Sequence, residues 1–209
     1  MSAPDLGALV AARLCHDLIS PLGAIRNGLE LLQMSAPVAT AEPGPEIALI
    51  SDSLETALAK LRYYRLAFGP ADAQSRQAFG EAVQVTAAMF TGRFTVAWET
   101  RGLDMPRATA RLIYLAILCL EKSLPMGGLV RVSMAEDATR LTVEGRRTAP
   151  PSELWAHVTD GRPIADLRPD SVQFALLRQA LDAAGHRLVA DFTETGAALR
   201  LTEASPLPA

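Results

Sequence analysis

His16 and Asp17 stand side by side near the start of the chain, in the run Cys15-His16-Asp17-Leu18-Ile19-Ser20-Pro21-Leu22. Imidazole is the side chain that offers a nucleophilic nitrogen at neutral pH. An adjacent carboxylate can hold one of its two ring nitrogens and leave the other free. Leu14, Leu18, Leu22, Ile25, Leu29 and Leu32 step by three and four, which predicts one apolar helical stripe. His16 falls off that stripe, and Ser20, Gly23 and Asn27 follow it at helical spacing on one common face. The pattern predicts an imidazole on a polar face, beside small residues, kept open for another molecule.

The element that must carry this face is a helix over residues 5–34, with Pro21 inside it removing a backbone donor and favouring a kink. Ser35 to Pro45, rich in Ala, Pro and Gly, reads as a loop. A second helix is expected over residues 46–68, with Ile47, Ile50, Leu54, Leu58, Leu61 and Leu66 as its apolar positions and Gly69-Pro70 as its stop. Two long helices joined by a short loop make an antiparallel hairpin. Its apolar surface exceeds what one hairpin buries, so pairing with a second copy into a four-helix bundle is expected.

The second half has another texture. A helix is expected over Arg76 to Phe90, a strand over Phe94 to Glu99, and a long apolar helix starting at Pro106 and running to Leu124. Leu129 to Ala135 and Arg140 to Gly145 read as a hairpin turning at Glu136-Asp137. No element is assigned to the Pro-rich stretch that follows. A helix from about Asp170 to Ala184 then ends at Gly185, and His186 to Phe192 with Ala197 to Leu201 make a last hairpin. Helices set against a mostly antiparallel sheet define an α+β layer fold. The boundary between the halves falls near Gly69 to Ser75, giving units 1–69 and 75–209.

Composition narrows the function classes. The 209 residues are 49% hydrophobic and 21% charged, enough for a packed core. A net charge of −3, with no basic tract, argues against nucleic acid. Two cysteines, Cys15 and Cys119, support neither a disulfide framework nor a metal cluster and read as buried thiols in a reduced cytoplasm. No run of about 20 apolar residues is seen, and the start lacks a signal-peptide pattern, so neither a membrane span nor export is expected. His157 and His186 receive no role.

His16-Asp17-Leu18-Ile19-Ser20-Pro21-Leu22 resembles the phospho-acceptor box of bacterial sensor histidine kinases, which lies on the first helix of a dimerisation hairpin. The second half is similar in element order to the ATP-binding domain of those kinases. Three of that domain's motifs are missing. The long helix ends Leu118-Cys119-Leu120-Glu121-Lys122 without the magnesium-holding Asn. Val143-Glu144-Gly145-Arg146-Arg147 replaces the Asp-x-Gly-x-Gly turn, and Asp170-Ser171-Val172-Gln173-Phe174 has no glycine where a second Gly-rich turn belongs. Arg146 and Arg147 are either strand-end charges or plugs of the vestigial pocket.

A phospho-accepting hairpin joined to a degenerate kinase domain resembles the ChpT-like histidine phosphotransferases. The match extends through Gly23-Ala24-Ile25-Arg26-Asn27-Gly28-Leu29-Glu30 and through Leu61-Arg62-Tyr63-Tyr64-Arg65-Leu66-Ala67-Phe68-Gly69. The resemblance implies a homodimeric four-helix bundle followed by an ATPase-type α/β sandwich. It implies a cytoplasmic phosphorelay protein that moves a phosphoryl group between receiver-domain aspartates without ATP. The partners it implies are response regulators and the receiver domain of a hybrid histidine kinase. His16 would be the acceptor. Asp17 would orient the imidazole or accept its proton, orientation being the reading taken here, and Ser20 would either hydrogen-bond the phosphoryl group or stand as plain helix surface. Gly23, Arg26, Asn27 and Glu30 would meet the receiver. No cofactor or metal of its own is expected, the receiver bringing Mg²⁺. The rival readings are a non-catalytic scaffold for receiver domains and, behind it, an active ATP-dependent kinase.

Overall fold

The protein is described by a computed structural model that covers residues 4–34, 44–72, 74–99, 104–135 and 138–203. The loop expected at Ser35 to Pro45 lies almost wholly outside these residues, as does the turn at Glu136-Asp137.

Helix α1 spans Leu6–Met34 and runs unbroken through Pro21. Asp5 starts it, its Oδ1 accepting from the Ala8 amide at 3.1 Å, which satisfies one of the donors left open at a helix N-terminus. Helix α2, Pro45–Phe68, begins with proline at its first position, where no amide is needed. The two pack antiparallel, and Gly28 permits the close approach: a Cβ there would lie 2.6 Å from Ile50 Cγ1.

Beyond the hairpin come β1 (Arg76–Gln77), α3 (Phe79–Met89), β2 (Phe94–Trp98), β3 (Met105–Pro106) and α4 (Arg107–Ser123). Then follow β4 (Gly128–Met134), β5 (Thr139–Gly145), α5 (Ser152–Asp160), a short 3-10 turn at Pro169–Ser171, α6 (Val172–Ala184), β6 (His186–Phe192) and β7 (Gly196–Glu203). Five strands form one sheet in the order β2-β4-β5-β7-β6. Only β2 and β4 pair in parallel, with Phe94 opposite Gly128; the other neighbours are antiparallel. Along β5 the residues alternate between buried (Thr139, Leu141, Val143) and exposed (Arg140, Thr142, Glu144). One face is therefore covered by helices and the other faces water, the two-layer α+β arrangement expected.

Helix α4 is the centre of the core. Every residue from Leu112 to Leu120 is buried, as befits a helix enclosed on all sides. It packs on α6 within the second half and on α2 of the hairpin. Tyr63, Tyr64, Leu66 and Ala67 at the end of α2 belong to the same core cluster. The Tyr63 hydroxyl donates to the Tyr114 carbonyl at 2.9 Å, and Arg107 and Arg111 donate to the carbonyls of Leu66 and Ala67 at 2.7 and 3.2 Å. These guanidinium groups take up acceptors that a helix C-terminus leaves open.

Four expectations change. The helix expected from Arg76 begins only at Phe79, because Arg76 and Gln77 pair with Pro106 and Met105 in a small ladder. The unassigned Pro-rich stretch contains α5, anchored by Trp155, whose indole donates to Ser123 Oγ at 2.9 Å and packs edge-on against Phe174. Cys15 is exposed, and only Cys119 is buried. Finally, α1 over Leu6–Leu32 has the length and mean hydropathy (1.3) of a helix able to cross a membrane. Counting uninterrupted apolar runs missed this, since Arg13, His16 and Asp17 break the run without lowering the average below that of a span.

Candidate functional site

His16 sits about a third of the way along α1 with its side chain 82% exposed, while the Asp17 side chain beside it is only 13% exposed. The helix turns adjacent residues about 100° apart, so His16 points to solvent and Asp17 toward α2 and the second half. Nδ1 of His16 lies 3.0 Å from Asp17 Oδ1. An ionised carboxylate only accepts, so Nδ1 carries the proton, and the Nε2 lone pair is the free nucleophile.

Asp17 is anchored on its other sides. Its Oδ2 accepts from Arg13 Nε at 2.6 Å, one helical turn back, and from the Tyr64 hydroxyl of α2. Its backbone carbonyl accepts from Lys60 Nζ at 3.0 Å. Burial by itself would raise the carboxyl of Asp17. The hydrogen bonds from His16 and Tyr64, with the Arg13 guanidinium, override it and hold the group below its ordinary value, so it stays ionised. Burial pushes the Tyr64 phenol far up, which keeps it protonated as a donor. Burial also raises the carboxyl of Glu121, which faces Arg13, Asp17, Lys60 and Lys122 from α4.

The remaining residues singled out in the sequence spread along α1. Ser20 is exposed and lines a shallow groove with Pro21, Ala24, Asp52, Ser53, Thr56 and Lys60. A Cβ on Gly23 would meet nothing within 4 Å, so the chain's own packing does not require glycine there. Arg26 and Glu30 form an exposed ion pair at 3.7 Å, and Asn27 is exposed beside them. Their face continues that of His16 toward the hairpin tip. The expected stripe divides: Leu14, Leu18, Ile25 and Leu32 are half-buried, whereas Leu22 and Leu29 are exposed.

Sequence reading missed the groups behind Asp17. Arg13 was legible as an i, i+4 partner on the same helix. Tyr64, 47 residues away, and Asp170, whose carbonyl accepts from Arg13 Nη1 at 2.9 Å, were not. Tyr63 is wholly buried in the core, and Tyr64 belongs both to the core and to the cluster at Asp17. Of the basic residues along this part of α2, Arg62 and Arg65 are exposed, but Lys60 is half-buried against Asp17. Where the kinase resemblance expects nucleotide motifs, Lys122 pairs with Asp170, and Arg146 and Arg147 are exposed rather than plugging a pocket. Among the described residues no three His, Cys, Asp or Glu side chains gather as metal ligands.

A solvent-facing imidazole on a two-helix hairpin, carried by an α/β layer domain, is the architecture of a histidine phosphotransfer protein. The family model for the histidine phosphotransferase C-terminal domain matches residues 79–196. The chain is 37% identical over 182 residues to protein phosphotransferase ChpT of Brucella abortus (strain 2308), covering 83% of each. A solved bacterial phosphotransferase superposes with a TM-score of 0.79 at 30% identity, covering 96% of this chain and 97% of that one. The chain belongs to the histidine phosphotransferase family of the ChpT type, and it is a phosphotransferase.

Proposed function

We propose that His16 carries the phosphoryl group between the aspartates of two receiver domains. The observation behind this is the paired geometry of the dyad: Nδ1 tied to an ionised, anchored carboxylate, Nε2 open to solvent. In the forward step the Nε2 lone pair attacks the phosphorus of an aspartyl phosphate on the first receiver. The P–N bond forms, the P–O bond breaks, and the receiver's aspartate leaves as a carboxylate. The phosphoimidazole keeps its proton on Nδ1, and its positive charge is balanced by Asp17. In the second step a carboxylate of another receiver attacks the same phosphorus and the P–N pair returns to Nε2. No nucleotide is consumed. Such a transfer needs in-line positioning and charge neutralisation more than covalent help from the protein.

Mg²⁺ belongs to the receiver in this reading, and the chain brings no cofactor. Ser20 stands one turn from His16 on the same face, within reach of the transferred group. Gly23, Arg26, Asn27 and Glu30 make the docking strip, with room for a partner helix over Gly23. Residues 1–69 carry the phosphoryl group and residues 75–209 brace the hairpin. The exposed Leu22, Leu29, Leu54 and Leu61 favour a homodimer through a four-helix bundle. The cytoplasm, where receiver domains reside, is the compartment this role requires.

The test mixes a receiver phosphorylated on its aspartate with this protein and with His16→Ala. Acid-labile, base-stable label on the wild type and none on the variant is the expected result. No label on either, with receiver binding intact, overturns the proposal in favour of a scaffold.

A further inference from the structure

Three groups outside the reacting pair meet at Asp17, and one of them reaches into the second half of the molecule. The Tyr64 ring is 2% exposed, stacked on Phe68 with centroids 5.0 Å apart and edge-on to Tyr63 at 6.4 Å. A ring so enclosed has one orientation, which fixes where its hydroxyl meets Asp17 Oδ2. Arg13 divides its guanidinium between two acceptors: Nε donates to Asp17 Oδ2 at 2.6 Å and Nη1 to the Asp170 carbonyl at 2.9 Å. Asp170 lies in the 3-10 turn that leads into α6, and its carboxylate is paired with Lys122 at the end of α4. Burial would raise the Asp170 carboxyl, but the hydrogen bond from Lys122 outweighs it and keeps the group ionised. A continuous chain of contacts thus runs Lys122, Asp170, Arg13, Asp17, His16. Its first two members stand where the resemblance to kinases places nucleotide-binding motifs.

We propose that Tyr64 and Arg13 are positioning residues for phosphotransfer, clamping the Asp17 carboxylate so that it holds Nδ1 of His16 and presents Nε2. The second half of the molecule supplies the anchor for that clamp through Asp170. The physical need is plain. The His16 side chain is exposed, and among the described residues its hydrogen-bond partner is Asp17. A carboxylate free to change rotamer would carry the imidazole with it and spread Nε2 over many directions, losing the advantage of a fixed attack geometry. Two donors on one oxygen, one from a locked ring and one from a bridging guanidinium, remove that freedom. This inference rests on His16 as the acceptor, yet its structural part is read without any transfer.

The experiment uses the full chain with Tyr64→Phe, Arg13→Lys and Lys122→Met. Tyr64→Phe keeps the packed ring and deletes one donor. Arg13→Lys keeps the charge but cannot bridge both acceptors. Two readouts are taken: transfer kinetics from a phosphorylated receiver, and the ring ¹⁵N shifts of His16 at a pH where imidazole is neutral. Tyr64→Phe and Arg13→Lys are expected to lower kcat about tenfold with KM unchanged, a barrier change of about 1.4 kcal/mol. They are also expected to shift His16 from the Nδ1–H tautomer toward a mixture. Lys122→Met gives a smaller change of the same kind. Wild-type kcat with a wild-type tautomer in Tyr64→Phe and Arg13→Lys overturns the proposal. So does a lower kcat with an unchanged tautomer, which marks a merely structural role. Wild-type behaviour of Lys122→Met removes the second half from it. If the wild type takes no phosphate, the acceptor reading fails while the ¹⁵N shifts still decide whether the clamp exists.

Discussion

At the scale of single residues, adjacency on a helix separates two tasks. His16 faces water and Asp17 faces protein, so the imidazole is accessible while the carboxylate beside it is sheltered and ionised. The depressed carboxyls of Asp17 and Asp170 make stability depend on pH. Each has a folded-state value below its unfolded one, so each contributes stability that is fully present above the unfolded carboxylate range near pH 4. That contribution is lost as pH falls through the folded value. Thermal melting between pH 7 and pH 3 should show a fall in Tm at the acid end, and Asp17→Asn should flatten part of it. An equal acid slope in Asp17→Asn would show that the carboxylate is not held as described.

At the scale of elements, the turn from α4 into β4 is set by Gly127. Its φ is +78°, and a Cβ there would lie 2.2 Å from the Arg93 carbonyl oxygen. That carbonyl accepts from the Gly128 amide at 2.9 Å, at the point where β4 starts its parallel pairing with β2. Gly127→Ala should therefore cost about 2 kcal/mol, from left-handed strain and the displaced carbonyl together. For a chain of this length that is a drop in Tm of about 4–8 °C, read by calorimetry. An unchanged Tm would mean the turn relaxes without cost. The hairpin differs in kind: its inner end is locked into the core by Tyr63 and the arginines of α4, and its outer end relies on contact between two helices.

At the scale of the whole molecule, the uncovered leucines of α1 and α2 set the expectation for assembly. Sedimentation should give a mass twice the 22.3 kDa of the chain. Leu54→Lys combined with Leu61→Lys should give a monomer, since two buried ammonium groups without partners cost more than the apolar contact gains. A monomeric wild type would leave the hairpin face to another partner. The shared core also joins the second half to the hairpin. Lys122 and Asp170 are engaged with each other, and Asp170 also with α1, so the second half is tied to the Asp17 cluster through direct contacts.

Local pattern made much of this visible. The spacing of leucines around His16, the helix stops at Gly69 and Gly185 and the alternation along β5 are near-neighbour effects, and they yielded both hairpin helices and the sheet hairpins. Helix α5 was missed because nine residues between prolines carry little periodicity; what holds it is Trp155 reaching Ser123 and Phe174 from other parts of the chain. β1 was read as helix because its reason for being extended is a partner some 30 residues away. The dyad was legible for the same local cause that the clamp was not. His16 and Asp17 are adjacent in any conformation, whereas Tyr64 and Asp170 meet Asp17 and Arg13 only once burial of α2 and α4 in one core has brought distant segments together.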